Sequence, residues 1–146
     1  MDSPKRHTVR CAGYVFLIKE GKILLILREK TGWMDGYYGL PAGHLEKNEE
    51  IKETVIREAE EEVGVRINPD DLIFMHVMHR HEKGNFEYID FYFSLDRWEG
   101  DPVNNEPNKA SKVEWFDLHA LPKNTIPNVR AAIAHYLSHI IFSEFS

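Results

Sequence analysis

Between Asn48 and Gly64, apolar residues recur at every fourth position: Ile51, Val55, Ala59 and Val63. That spacing keeps one helical face apolar and predicts an amphipathic helix packed on a core. Asn48 is the expected N-cap, and Glu49 and Glu50 place negative charge in the first turn, where the helix dipole favours it. Gly64 can take the left-handed conformation that ends a helix. Elsewhere the pattern is that of strands. Val9 to Ile18 is rich in β-branched and aromatic residues. Glu20-Gly21-Lys22 reads as a tight turn, and Ile23 to Leu27 is a continuous apolar run, as in a strand buried on both faces. Arg28 to Gly39 interleaves Gly32, Gly36 and Gly39 with aromatics and reads as a loop.

After the helix, Asn68-Pro69-Asp70-Asp71 predicts a turn. Leu72 to Arg80 and Phe86 to Leu95 predict two strands joined through Glu82-Lys83-Gly84-Asn85. Trp98 to Lys112 reads as a long polar loop and Lys112 to Phe116 as a short strand. Leu121-Pro122 breaks the pattern, and Val129 to Phe142 has helical spacing. Strands with one helix between them and one at the end predict an α/β protein, an α/β/α sandwich around a mixed sheet. With no linker or internal repeat, residues 1–146 are expected to form one domain.

The polar side of the first helix carries the chemistry. Glu58, Glu61 and Glu62 stand three and four residues apart, which puts three carboxylates on one helical face. Like charges so placed repel unless something offsets them, and a hard divalent cation such as Mg²⁺ prefers oxygen ligands. A solvated, salt-bridged face is the competing reading.

The whole string is more specific than the glutamates alone. Gly43 is followed at fixed spacing by Glu49 and then by Arg57-Glu58-Ala59-Glu60-Glu61-Glu62-Val63-Gly64-Val65. This segment resembles the signature box of the Nudix hydrolase family at its defining positions, with the small Ala59 the mildest match. The resemblance implies a Nudix-type sandwich and metal-dependent hydrolysis of a nucleoside diphosphate linked to another moiety. By motif position it implies Glu58, Glu61 and Glu62 as ligands of Mg²⁺ or Mn²⁺, with the Gly43 carbonyl as a further ligand. Glu61 and Glu62 are also candidates for catalysis. Arg57, also in the catalytic set, is either a phosphate contact or, as the family resemblance favours, the residue that orients a neighbouring glutamate, Glu61 or Glu49. The general base is a box glutamate or a distant loop carboxylate, for which Glu106 is the candidate.

Composition narrows the partners. Lys and Arg number 18 against 24 Asp and Glu, a net charge of -6. That excess argues against a broad grip on nucleic acid or membrane, and an anionic substrate then needs local cations. The single Cys11 fits a reducing compartment, no apolar run is long enough for a bilayer, and Met1 to His7 lacks a signal-type apolar stretch. A cytoplasmic enzyme, monomeric or homodimeric, acting on a small nucleotide is the expectation.

Several residues are candidates for substrate contacts. Arg28 closes the apolar strand and offers a fork that matches phosphate oxygens. Trp33, Tyr37 and Tyr38 precede the box, where an aromatic can stack on a base, and Tyr38 is the preferred candidate. His44 follows Gly43 directly. Asn124 and Thr125 lie where MutT-like nucleoside triphosphate pyrophosphatases tend to read the base, which makes Asn124 a further candidate. His76, His79 and His81 are expected to share one face of a strand. The marks that ADP-ribose and dinucleotide-polyphosphate enzymes tend to show past the box are absent at Arg80, His81 and Glu82. A MutT-like triphosphatase releasing monophosphate and pyrophosphate is therefore the primary expectation. A nucleotide-sugar hydrolase and a non-catalytic nucleotide sensor are the alternatives.

Overall fold

The computed structural model describes residues 5–146, so Met1 to Pro4 of the N-terminal reading lie outside the described residues. The chain forms β1 (Arg10–Lys19), β2 (Lys22–Arg28), β3 (Tyr38–Gly39), β4 (Ala42–His44), α1 (Ile51–Val63), β5 (Ile73–Glu82), β6 (Phe86–Leu95), β7 (Ala110–Asp117), α2 (Pro127–Leu137) and β8 (Phe142–Phe145). The strands make one mixed sheet in the order β3-β2-β1-β6-β5-β8, with β4 paired to β1 and β7 to β2.

The apolar run of β2 divides between two cores. Leu24 and Ile26 join Val15, Leu17, Val55, Ala59 and Val63 on the α1 face. Ile23 and Leu25 join Phe16, Met78, Tyr92 and Ile133 on the α2 face. This is the α/β/α sandwich the pattern predicts, because side chains alternate across a strand while each helix offers one stripe. Gly13 lets α1 sit close to β1: a Cβ there would stand 2.7 Å from Val55 Cγ2.

Three expectations are corrected. The N-cap of α1 is Glu50, not Asn48. Glu50 and Glu53 form a reciprocal capping box, whereas Asn48 sits in the preceding turn at φ 66°. The short strand expected from Lys112 begins at Ala110, since β7 pairs with β2 along its whole length. The final helix ends at Leu137 instead of continuing to Phe142. His139 takes φ 57°, and the chain then runs beside β5 as a parallel strand, with Val77 N–H donating to Ile141 O at 2.9 Å. Pairing the backbone of the outer strand β5 outweighs the local helical spacing.

Candidate active site

The strands β1 and β2 pair only beside their turn, at Ile18↔Ile23 and Lys19↔Lys22. Beyond that point β1 pairs with β4 and β2 with β3, so the two strands diverge. A cleft of about 1070 Å³ opens there, with walls that include Tyr14, Arg28, Gly43, Glu58, Glu62 and Glu106.

The helix α1 supplies the acidic wall. Glu58 lies directly over Gly43, where an added Cβ would overlap its carboxyl group. Glu62 accepts from Ala42 N–H at 3.2 Å. Burial pushes the Glu62 carboxyl well above the usual range, and the adjacent Glu58 and more distant Glu106 carboxylates push it further. Glu61 is the outermost of the three, with a side chain 52% exposed.

Arg57 organises this wall from outside. Its Nε donates to Glu49 Oε2 at 2.8 Å and its Nη2 to Glu49 Oε1 at 3.1 Å. Its Nη1 donates to Glu58 Oε1 and stands 3.5 Å from Glu61 Oε2. Of the two partners the sequence left open, Glu49 is therefore the hydrogen-bonded one. This pairing, with the Thr54 hydroxyl also donating, holds the Glu49 carboxyl down to about 2.

Glu106 belongs to the same cleft because its loop is stapled to the end of α1. Val103 N–H donates to Val63 O and Asn105 N–H to Glu62 O, each at 3.0 Å. These bonds take up carbonyls that a helix C-terminus leaves unpaired. The Glu106 carboxylate has Lys109 Nζ at 3.6 Å and lines the cleft together with Glu58 and Glu62.

Among the described residues, no group of three or more His, Cys, Asp or Glu side chains converges as a metal cage does. Glu58 and Glu61 are drawn toward Arg57, and Glu62 toward Ala42 N–H. The donor chemistry nevertheless fits a hard divalent cation. All the candidate groups are oxygens, Gly43 leaves a cradle that a side chain would fill, and Glu62 has no ion-pair partner among the described residues.

The remaining candidates divide. Arg28 and His44 both line the cleft. Arg28 is held by its own loop, donating from Nε to Trp33 O and from Nη2 to Thr31 Oγ1, each at 2.9 Å. His44 stacks on Tyr88, its Nε2 3.1 Å from the Tyr88 hydroxyl. Tyr38 is not at the cleft; it is 6% exposed and packs edge-on against Phe116 in the core. Asn124 is also elsewhere: its Nδ2 donates to Gly36 O at 2.8 Å and its carbonyl accepts from Tyr38 N–H, fastening the β3 loop. His76 does not share a face with His79 and His81. It is fully buried against His135, whereas His79 and His81 stack on each other, because an odd spacing along a strand reverses the face.

Arg80 and Asn128, which the sequence did not single out as site residues, also line the cleft. Arg80 and Asp90 form a buried ion pair at 2.6 Å. The Arg80 guanidinium lies 4.4 Å from the Tyr88 ring centroid. Asn128, in the first turn of α2, is 4% exposed and donates to the Tyr92 hydroxyl. A charged residue at an inward position on each strand of one hairpin was the available signal for the Arg80–Asp90 pair.

Comparison with known proteins agrees with this architecture. The NUDIX domain family model matches residues 7–137. A MutT NUDIX hydrolase from Burkholderia pseudomallei superposes with a TM-score of 0.81 at 26% identity, covering 88% of this chain and 98% of that one. The ADP-ribose pyrophosphatase of Methanocaldococcus jannaschii is 35% identical over 106 residues, 72% of this chain and 60% of that protein. The human 8-oxo-dGDP phosphatase NUDT18 is 39% identical over 127 residues, 87% of this chain and 36% of that protein. The chain thus spans less than two thirds of the length of either curated relative. The match over residues 7–137, together with an acidic helix set against Gly43 in an open cleft, shows that this chain belongs to the Nudix hydrolase family.

Proposed function

We propose that the protein hydrolyses a nucleoside diphosphate linked to another moiety, with a nucleoside triphosphate cleaved to monophosphate and pyrophosphate as the primary reading. The observation that carries it is the half-buried Glu58–Glu62 pair, with Glu58 over Gly43 and Glu106 lining the same cleft. Glu58, Glu61, Glu62 and the Gly43 carbonyl would hold Mg²⁺ or Mn²⁺. When bound, such an ion neutralises diphosphate oxygens and lowers the pKa of water.

The protein's own groups do the rest. Arg57 fixes the Glu58 carboxylate through one guanidinium edge and is itself fixed by Glu49. The Ala42 N–H orients Glu62. Arg28, which lines the same cleft, is the candidate to meet a phosphate. Glu106 is the candidate to take the proton from the attacking water. It stands at the end of a loop tied to α1, so its distance from the acidic wall is held by backbone hydrogen bonds.

A second reading, cleavage of ADP-ribose or another nucleotide sugar, is favoured by the 35% identity to the archaeal ADP-ribose pyrophosphatase. The test is product analysis with purified protein, Mg²⁺ and a nucleotide panel. Monophosphate and pyrophosphate from a triphosphate are expected. Cleavage of ADP-ribose alone would move the assignment to the second reading. No cleavage of any nucleoside diphosphate derivative would leave a nucleotide-binding module and overturn both.

A further inference from the structure

Among the described residues, five aromatic or imidazole rings line the cleft, and four are spoken for. Tyr14 is stacked on Tyr92 at 4.6 Å. Tyr88 has the Arg80 guanidinium at 4.4 Å and the His44 ring at 5.5 Å. Phe86 has Arg80 at 5.1 Å and meets Tyr88 edge-on. The fifth, Trp33, is 43% exposed. Its one stacked neighbour among the described residues is the Arg28 guanidinium, 5.2 Å from the ring centroid, and no second ring or cation stacks on it there.

The loop that carries Trp33 is rigidly built for an exposed segment. Thr31 N–H, Gly32 N–H and the Thr31 hydroxyl all donate to the Asp35 carboxylate, at 3.1, 2.9 and 2.6 Å. The Thr31 hydroxyl also accepts from Arg28 Nη2, and the Trp33 carbonyl accepts from Arg28 Nε at 2.9 Å. Ring, cation and backbone are thus locked together before any ligand arrives. An aromatic face ordered in advance binds a planar group without the entropic cost of immobilising it.

We infer that Trp33 is the stacking platform for the nucleobase of the substrate, which would seat on the ring face opposite the Arg28 guanidinium. This rests on the nucleotide-hydrolase reading and names the residue that grips the base. Tyr38 and Tyr37 are replaced in that role. Tyr38 is in the core, and Tyr37 is outside the cleft.

The test compares binding of a nucleoside 5′-monophosphate with ribose 5-phosphate, by calorimetry, in wild type, Trp33→Ala and Trp33→Phe. Stacking of one base predicts that Trp33→Ala weakens monophosphate binding roughly tenfold. Ribose 5-phosphate affinity should be unchanged, and Trp33→Phe should bind much as wild type does. In hydrolysis, KM should rise in Trp33→Ala with kcat little altered. Equal monophosphate affinity in wild type and Trp33→Ala would overturn the inference. So would a wild type that does not distinguish the two ligands, or equal loss for both ligands in Trp33→Ala. A wild type that binds the monophosphate through Trp33 but cleaves nothing would refute the hydrolase reading and leave the platform standing. Thermal unfolding of both variants, expected within a degree or two of wild type for so exposed a side chain, checks that they are folded.

Discussion

Arg57 and Glu49 face each other across the start of α1, joined by two hydrogen bonds at 2.8 and 3.1 Å between a residue on the helix and one just before it. The partner is not the one that helical spacing favours, since Glu61 at i+4 is only within 3.5 Å. Arg57 thereby ties the turn after β4 to the acidic face, and the Glu58 carboxylate takes its orientation from the same guanidinium.

Arg57→Ala is accordingly expected to lower kcat roughly 10²-fold, the scale of a misplaced catalytic group, while the protein stays folded. Arg57→Lys should recover little, because a point charge cannot serve Glu49 and Glu58 at once. Glu49→Gln should lose less. Steady-state rates checked against circular dichroism decide this, and full activity in Arg57→Lys would contradict the bidentate role.

Glu62→Gln separates function from stability. It removes a carboxylate whose pKa is raised by burial and by Glu58. Activity should fall by more than the roughly 10–100-fold typical of losing an outer-shell metal partner. In chelator, the unfolding temperature should rise by roughly a few degrees, since a buried repulsive charge is gone. An unchanged or lower unfolding temperature would argue against that repulsion.

The Arg80–Asp90 pair is a structural liability if half of it is removed. Asp90→Ala leaves a buried guanidinium without its partner, a loss of about 3–5 kcal/mol by urea unfolding. The double change Arg80→Met with Asp90→Leu should restore most of that, as both charges leave together. A mild effect of Asp90→Ala would mean that Tyr14, 3.3 Å from Arg80 Nη2, and the flanking rings suffice to hold the cation.

His76 anchors β8, with Nδ1 2.7 Å from Ile140 O and Nε2 2.7 Å from Ser143 Oγ. Its ring faces His135 at 4.8 Å and Tyr92 at 6.0 Å. Burial lowers its pKa, so the folded state prefers the neutral ring. With a depressed folded pKa, stability is intact above the unfolded value of about 6.5 and declines as pH falls below it. Urea unfolding between pH 7.5 and 5 should show that decline, and His76→Asn should flatten it. Hydrogen exchange should report β8 as the segment loosened first at pH 5. Equal slopes in both proteins would assign the effect elsewhere.

Elements whose signal is local were legible in the order of residues alone. The fourfold apolar spacing of Ile51 to Val63 made α1, the run Ile23 to Leu27 made β2, and Gly64 ended the helix, because period and backbone freedom are properties of neighbouring residues. It also placed Glu58, Glu61 and Glu62 on one face. Tertiary structure decided what depends on residues distant along the chain. The backbone needs of β5 cut the expected helix short at Leu137 and made Phe142–Phe145 a strand. The carbonyls at the end of α1 drew the Asn105 loop, and Glu106 with it, to the cleft. Packing against Phe116 took Tyr38 into the core, and the Arg28–Asp35 network held the loop that leaves Trp33 exposed at the cleft. Burial and long-range hydrogen bonding set these outcomes, and neither can be read from a residue and its neighbours alone.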